Sequence, residues 1–294
     1  MVRASRASTI AILRSDCKGQ IPFNRYFKKL FFYRMKISLF QQDITWLDPE
    51  ANYLKIESVL KSHPDTDLLV MPEMCSTGFV TNPSAGQIEK PEKVVSRLKA
   101  LAEKYNTALC GSFAVQTPEC NRNRCYFVTP EGEVHYADKH HLFSPGGEAK
   151  GYKAGDKKCI VEWRGIRFLL LVCYDLRFCV WSRITDSEPY DVMVCVANWP
   201  SQRQLAWKTL LPARAIENQA YVLGVNRVGQ DNLCPYSGGT VAIHPYGHIV
   251  AQCEDNQEGV CTFEPDIEKL KDFRKKFPSQ VDADKFVIIP DHAS

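Results

Sequence analysis

The chain has 294 residues, 45% hydrophobic and 24% charged, which is ordinary globular composition and enough for one large core. No apolar run reaches the roughly 18–20 residues of a membrane helix, and the 12 cysteines fall at irregular spacings without a CxxC pair, which points to free thiols in a reducing, cytoplasmic setting. The net charge of +3 is uneven: residues 1–34 hold eight basic side chains and one acidic one, a balance of +7, so the rest stands at −4, and a mildly acidic domain argues against a nucleic-acid surface.

Three readings compete for the basic leader over 1–34: a targeting presequence, a disordered tail, or an upstream extension from a wrong start. The last two together are favoured over targeting, and no function rests on the segment. From Met35 the elements come in clear order. KISLFQQ (36–42) alternates as a half-buried strand does, and Pro49 opens a helix through Leu60. DLLVM (67–71) is a buried strand ending at Pro72-Glu73-Met74. Val94, Val95, Leu98 and Leu101 sit at helical spacing within 91–104. Strands follow at 107–115, 125–128 and 134–137, the last two joined by a turn at Glu131-Gly132. Residues 140–158 form a long loop rich in Gly and Pro, a length usually functional or disordered inside a domain. Strands at 159–163 and 166–173 precede a helix from about Trp181 and a strand at 191–197. A helix over 202–219 is interrupted by Pro212. Strands at 220–225, 240–244, 249–252 and 259–263 and a helix from Pro265 to Lys276 complete the domain. Alternating strands and helices, with several strands apolar on both faces, predict an α/β fold in a single domain over 35–290.

The stretch RFLLLVCYDLRF (167–178) is the one most suggestive of chemistry. A buried strand delivers Cys173 to its end, where α/β proteins place reactive groups on a rigid scaffold. A free thiol has a pKa near ~8.5 and needs a base or a nearby cation to react. Glu73 after DLLVMP offers the base and Lys139 after VHYAD the cation. The set suits attack on an amide carbonyl. Cys173 attacks, Glu73 carries the proton, and Lys139 with the Tyr174 backbone N–H steadies the oxyanion. A helix after Cys173 would add its dipole. From spacing alone, a buried strand-end Cys is more often structural, and a lone Glu or Lys there is usually a solvated edge. A Cys-His pair is the commoner arrangement, but His140 and His141, adjacent on an extended segment, would point to opposite sides, so at most one could serve.

Three blocks together carry a resemblance. LLVMPEM around Glu73, YADKHHLF around Lys139 and LLVCYDLRF around Cys173 look like the Glu-Lys-Cys blocks of the nitrilase, or carbon–nitrogen hydrolase, superfamily, in its order and at its separations. ANWP (197–200), ARAIENQAYV (213–222) and NRVG (226–229) extend it over 35–290. The resemblance implies a four-layer αββα sandwich, a homodimer continuing that sandwich, and neither metal nor organic cofactor. It also implies a second glutamate that positions substrate, for which Glu148 is the match. Tyr174-Asp175, where nitrilases usually carry Trp-Glu, favours the amidase side. CYDLRF-x-VWSR (173–183) and VEWRG (161–165) look most like bacterial omega-amidases, which release ammonia from the terminal amide of 2-oxoglutaramate and 2-oxosuccinamate. The loop SPGGEAKGYKAG departs from those proteins and is where substrate choice would differ, and Cys179 replaces their usual proline.

Such a substrate needs a cation for its far carboxylate. Arg177, one helical turn beyond the nucleophile, could grip it bidentately, or could pair with Asp175 or Glu217. Asn198 and Trp199 follow the next strand as pocket walls, with Trp199 equally able to be core. Arg214 and Glu217 read as helix-packing residues. His244 and His248 flank a Pro-Gly turn without further zinc-spaced ligands. The rival functions are an N-carbamoyl amino acid amidohydrolase on the same scaffold, a non-catalytic scaffold protein, and a thiol-reactive metal or redox binder.

Overall fold

The computed structural model describes residues 34–289. The leader expected over 1–34 lies outside that span except for Arg34, which donates to Asp266. In chain order the elements are β1 (Ile37–Gln41), α1 (Pro49–Ser62), β2 (Leu68–Val70), α2 (Pro91–Tyr105), β3 (Ala108–Gln116), β4 (Asn121–Val128), β5 (Val134–Asp138), β6 (Ile160–Trp163), β7 (Ile166–Val172), α3 (Cys179–Ser182), β8 (Val192–Ala197), α4 (Gln204–Asn218), β9 (Tyr221–Asn226), β10 (Val228–Gln230), β11 (Pro235–Ser237), β12 (Val241–Ile243), β13 (Ile249–Gln252), β14 (Gly259–Phe263) and α5 (Ile267–Lys276).

Two six-stranded sheets carry the fold, ordered β14-β1-β2-β3-β4-β5 and β13-β12-β9-β8-β7-β6. Each has a parallel centre, β1-β2-β3 in one and β7-β8-β9 in the other, with antiparallel strands outside. Parallel strands covered on both faces must be apolar throughout, which is why LLV at 68–70, FLLLV at 168–172 and VMVCVA at 192–197 show no alternation. The sheets face each other across one core, with Leu39, Val70 and Phe127 on one side and Leu170, Val194 and Leu223 on the other. The helices cover the outer faces. Ile56 and Leu60 of α1 and Val94 and Leu98 of α2 pack on Leu69, Leu109 and Phe113. Trp207, Leu211 and Ala215 of α4 cover the other sheet. Gly224 permits this close approach, because a Cβ there would meet Leu211 Cδ1 at 2.4 Å. The result is the α/β sandwich of helix, sheet, sheet, helix expected from the sequence.

Local rules explain the helix starts. Asp48 caps α1 by accepting from the Ala51 N–H at 3.0 Å, with Pro49 in the first turn. Asp266 caps α5 in the same way through the Lys269 N–H at 3.0 Å.

Three expectations are corrected. Pro212 does not interrupt α4, which runs unbroken over 204–218. The carbonyl it leaves free belongs to exposed Lys208, where water can satisfy it, while Trp207, Leu211 and Ala215 hold the buried face. The helix expected from Trp181 is instead a 3₁₀ segment over Cys173–Arg177 followed by α3, which ends at Ser182. Strand β4 begins at Asn121, because the polar run 121–124 pairs with Phe113–Gln116. The hairpin of β10 and β11 was not predicted from its short, partly polar strands. Among the described residues no helix is long and apolar enough to cross a membrane.

Candidate active site

The chain leaving β2 carries Glu73, the chain leaving β7 carries Cys173, and the chain leaving β8 carries Asn198. Packing of the two sheets brings these ends together. The Asn198 N–H donates to Glu73 Oε2 at 2.7 Å, and Asn198 Nδ2 donates to the Glu73 carbonyl at 2.8 Å. Lys139 enters from the end of β5.

Cys173 has φ of +48°, a left-handed conformation that costs a non-glycine residue roughly 1–2 kcal/mol. It turns the chain just past the last residue of the strand and starts the 3₁₀ segment. Contacts within the turn and from other segments hold it. Asp175 Oδ2 accepts from the Val172 N–H at 3.1 Å, and its Oδ1 accepts from the His141 N–H at 2.8 Å. Arg214 of α4 donates to the Leu176 carbonyl at 2.7 Å, so this helix residue positions the elbow.

Glu73, Lys139 and Glu148 are fully buried together. Lys139 Nζ donates to Glu73 Oε1 and to Glu148 Oε2, each at 2.8 Å. Asn123 Nδ2 bridges the same two carboxylates at 2.7 and 3.0 Å, and its Oδ1 accepts from Ser112 at 2.8 Å. Glu148 also accepts from the Phe143 N–H at 2.6 Å. Burial alone would push the Lys139 ammonium down, but the carboxylates of Glu148 and Glu73 outweigh it and hold it well above the ordinary lysine range. Burial pushes the Cys173 thiol well up. The Glu73 carboxylate adds to this, and the Lys139 charge opposes it. The resting site is thus a neutral thiol beside a carboxylate, with a fixed ammonium between two acids.

Above this floor opens a cavity of about 600 Å³. Cys173, Tyr174, Arg177, Asn198 and Trp199 all line it. Trp199 serves as both core and wall: it is buried, packs on Trp207 with ring centroids 5.3 Å apart, and carries the Arg177 guanidinium 5.0 Å above its ring. Asp175 pairs with His141 and Glu217 pairs with Arg214, so neither holds Arg177. The Tyr174 N–H lies in the first turn of the 3₁₀ segment, where a helix has no acceptor of its own to offer.

The structure therefore gathers Cys173, Glu73, Lys139, Glu148 and Asn198 at one point, with Tyr174, Arg177 and Trp199 in the cavity lining. The strand-end Glu and Lys are buried, not solvated edges. The dipole expected from a long helix after Cys173 is replaced by five residues of 3₁₀ helix. The His140 and His141 rings are not on opposite sides: the chain bends there, and they meet 4.4 Å apart, stacked on Trp181 and Phe178. Sequence reading missed Asn123, Ser112 and the β10–β11 hairpin, whose Leu233, Cys234 and Tyr236 reach the cavity. No sequence signal marked Asn123, because the strand was read as starting at 125 and only its pairing with β3 puts Asn123 on the inner face beside Cys125 and Phe127.

The sequence pattern of the carbon-nitrogen hydrolase family matches residues 36–275. The chain belongs to the carbon–nitrogen hydrolase family. Among its curated relatives, the omega-amidase YafV of Escherichia coli is 45% identical over 253 residues, covering 86% of this chain and 98% of that protein. The 2-oxoglutaramate amidase of Bacillus subtilis is 32% identical, covering 82% and 95%. Among solved structures, a Xanthomonas campestris carbon–nitrogen hydrolase superfamily protein with an arsenic adduct in its active site superposes with a TM-score of 0.83 at 37% identity, over 87% of this chain and 99% of that one.

Proposed function

We propose that residues 35–290 form an omega-amidase that hydrolyses the terminal amide of a 2-oxo dicarboxylic acid monoamide, such as 2-oxoglutaramate, to the 2-oxo acid and ammonia. The observation that carries this reading is a buried carboxylate–ammonium–carboxylate cluster against a strand-end thiol, under a cavity with an unpaired arginine in its wall. The relatives named for omega-amidase and 2-oxoglutaramate amidase activity support the substrate class.

In this mechanism Glu73 takes the Cys173 proton as sulfur bonds to the amide carbon. A base is required because burial keeps the thiol neutral. The carbonyl oxygen becomes an oxyanion held by Lys139 and the Tyr174 N–H. Glu73 returns the proton to nitrogen, the C–N bond breaks, and ammonia leaves a thioester on Cys173. Glu73 then deprotonates water, which adds to the thioester carbon. The second tetrahedral intermediate expels the thiolate, and the proton on Glu73 restores the thiol. Glu148 keeps Lys139 aimed and charged, Asn123 and Asn198 fix Glu73, and Arg177 takes the far carboxylate. None of these steps uses a metal or an organic cofactor.

Ammonia release from 2-oxoglutaramate, from N-carbamoyl amino acids and from a neutral amide tests the reading. An omega-amidase turns over the first with the highest kcat/KM, and a preference for N-carbamoyl acids contradicts the proposal. Arg177→Ala is expected to lower the kcat/KM ratio of 2-oxoglutaramate to butyramide by about tenfold or more, through KM. Equal loss on both substrates assigns Arg177 a structural role.

A homodimer and a cytoplasmic location are part of the same proposal. Ile216, Tyr246 and Phe277 leave an apolar face beside α4 and α5 for a second copy. Light scattering of the purified protein decides the first, and fractionation of cells the second.

A further inference from the structure

Arg203 occupies a position that local rules disfavour. It joins a 3₁₀ turn over Ser201–Arg203 to α4 at the N-cap position, where Ser, Thr, Asp or Asn is preferred, and its side chain caps nothing. It also puts a cation at the positive end of a 15-residue helix dipole. A residue that breaks a local rule with no structural gain points to function. Its backbone contributes through the carbonyl, which accepts from Trp199 Nε1 at 2.8 Å, but any residue could supply that bond. Its guanidinium lies at the wall of the cavity that holds Cys173, 5.2 Å from the ring centroid of Phe143 and close enough to Cys234 for its charge to pull that thiol's pKa down against the burial that raises it. Among the described residues it forms no ion pair. Arg177 stands in the same wall, also unpaired, and no aspartate or glutamate lines this cavity. Two uncompensated guanidiniums, one on each side of Trp199 in sequence, make its wall an anion receptor far more basic than one arginine would.

We propose that Arg203 is a specificity-determining residue that shares with Arg177 the 2-oxo acid end of the substrate. This rests on the omega-amidase reading. A monoamide of a 2-oxo dicarboxylic acid presents a carboxylate with a carbonyl oxygen beside it, three acceptors in one plane. One guanidinium fork satisfies two of them, and a second is needed for the remaining edge. Arg203 supplies that second fork and leaves the cavity selective for acids over neutral amides.

The test uses the full-length enzyme, Arg203→Met, which keeps an unbranched apolar stem and removes the charge, and Arg203→Lys, which keeps the charge and removes the fork. Ammonia release gives kcat and KM on 2-oxoglutaramate, on glutaramate (the same acid without the 2-oxo group) and on butyramide. In Arg203→Met the kcat/KM ratio of 2-oxoglutaramate to butyramide is expected to fall about tenfold to a hundredfold, carried by KM, with partial recovery in Arg203→Lys. A ratio within about twofold of the wild type in either variant overturns the proposal. If the wild type shows no preference for 2-oxoglutaramate over glutaramate, the 2-oxo acid reading falls, and Arg203 is judged on glutaramate against butyramide. The same fall there supports it, and an unchanged ratio overturns it. A wild type that prefers butyramide to both acids overturns both readings.

Discussion

Glu73→Gln is expected to lower kcat by about a thousandfold or more, because one carboxylate carries the proton in both acylation and hydrolysis and general acid–base groups contribute roughly 10²–10⁴. The substitution preserves shape but not bonding. Glu73 Oε1 accepts from Lys139 and Asn123 at 2.8 and 2.7 Å, and Oε2 accepts from the Asn198 N–H at 2.7 Å. Either orientation of the amide sets an NH₂ group against a donor. A clash of this kind leaves buried groups unsatisfied, at about 1–3 kcal/mol. Ammonia-release kinetics and a thermal melt check both parts. Turnover near that of the wild type would remove Glu73 from the proton path.

Lys139→Met is expected to lower activity by at least about a thousandfold, since loss of a single oxyanion donor alone costs roughly 10²–10³. It should also destabilise the protein. Two buried carboxylates would lose the ammonium between them, and breaking a buried ion pair from one side costs about 3–5 kcal/mol. In a domain of this size that lowers Tm by about 10 °C. The pH dependence of the wild type fits this role. The folded lysine is held above its ordinary value, so its contribution is whole below the usual lysine range and is lost only as pH climbs through the raised one. Assays near neutral pH therefore see it intact. A Lys139→Met protein with unchanged Tm and residual turnover would contradict the central ammonium.

How much of this was legible in the sequence depended on what each residue answers to. Buried parallel strands announce themselves through unbroken apolar runs, so DLLVM and FLLLV located the ends that bear Glu73 and Cys173. Lys139 could be proposed from its place at the end of the VHYAD strand, but Glu148 could be assigned only through the family resemblance, because spacing along the chain says nothing about which residue of a long loop folds back onto a buried lysine. The course of the chain after Cys173 was misread because the apolar residues Phe178, Val180 and Trp181 suggest a helix. In the fold this segment is pinned by Asp175 and Arg214, contacts made across 34 and 38 residues. Pro212 misled for the opposite reason: its local penalty is real, but the packing of α4 on β9 overrides it. Asn123 and Arg203 escaped because the strand was read as starting at 125, which left Asn123 in a loop, and the helix as starting at 202, which made Arg203 an ordinary helical arginine; only their surroundings set them apart.

The most direct test of the account is ammonia release by Cys173→Ala on 2-oxoglutaramate, with folding checked by circular dichroism. The account predicts a folded protein whose ammonia release matches a protein-free blank. Release well above that blank from the folded variant would contradict acylation of Cys173.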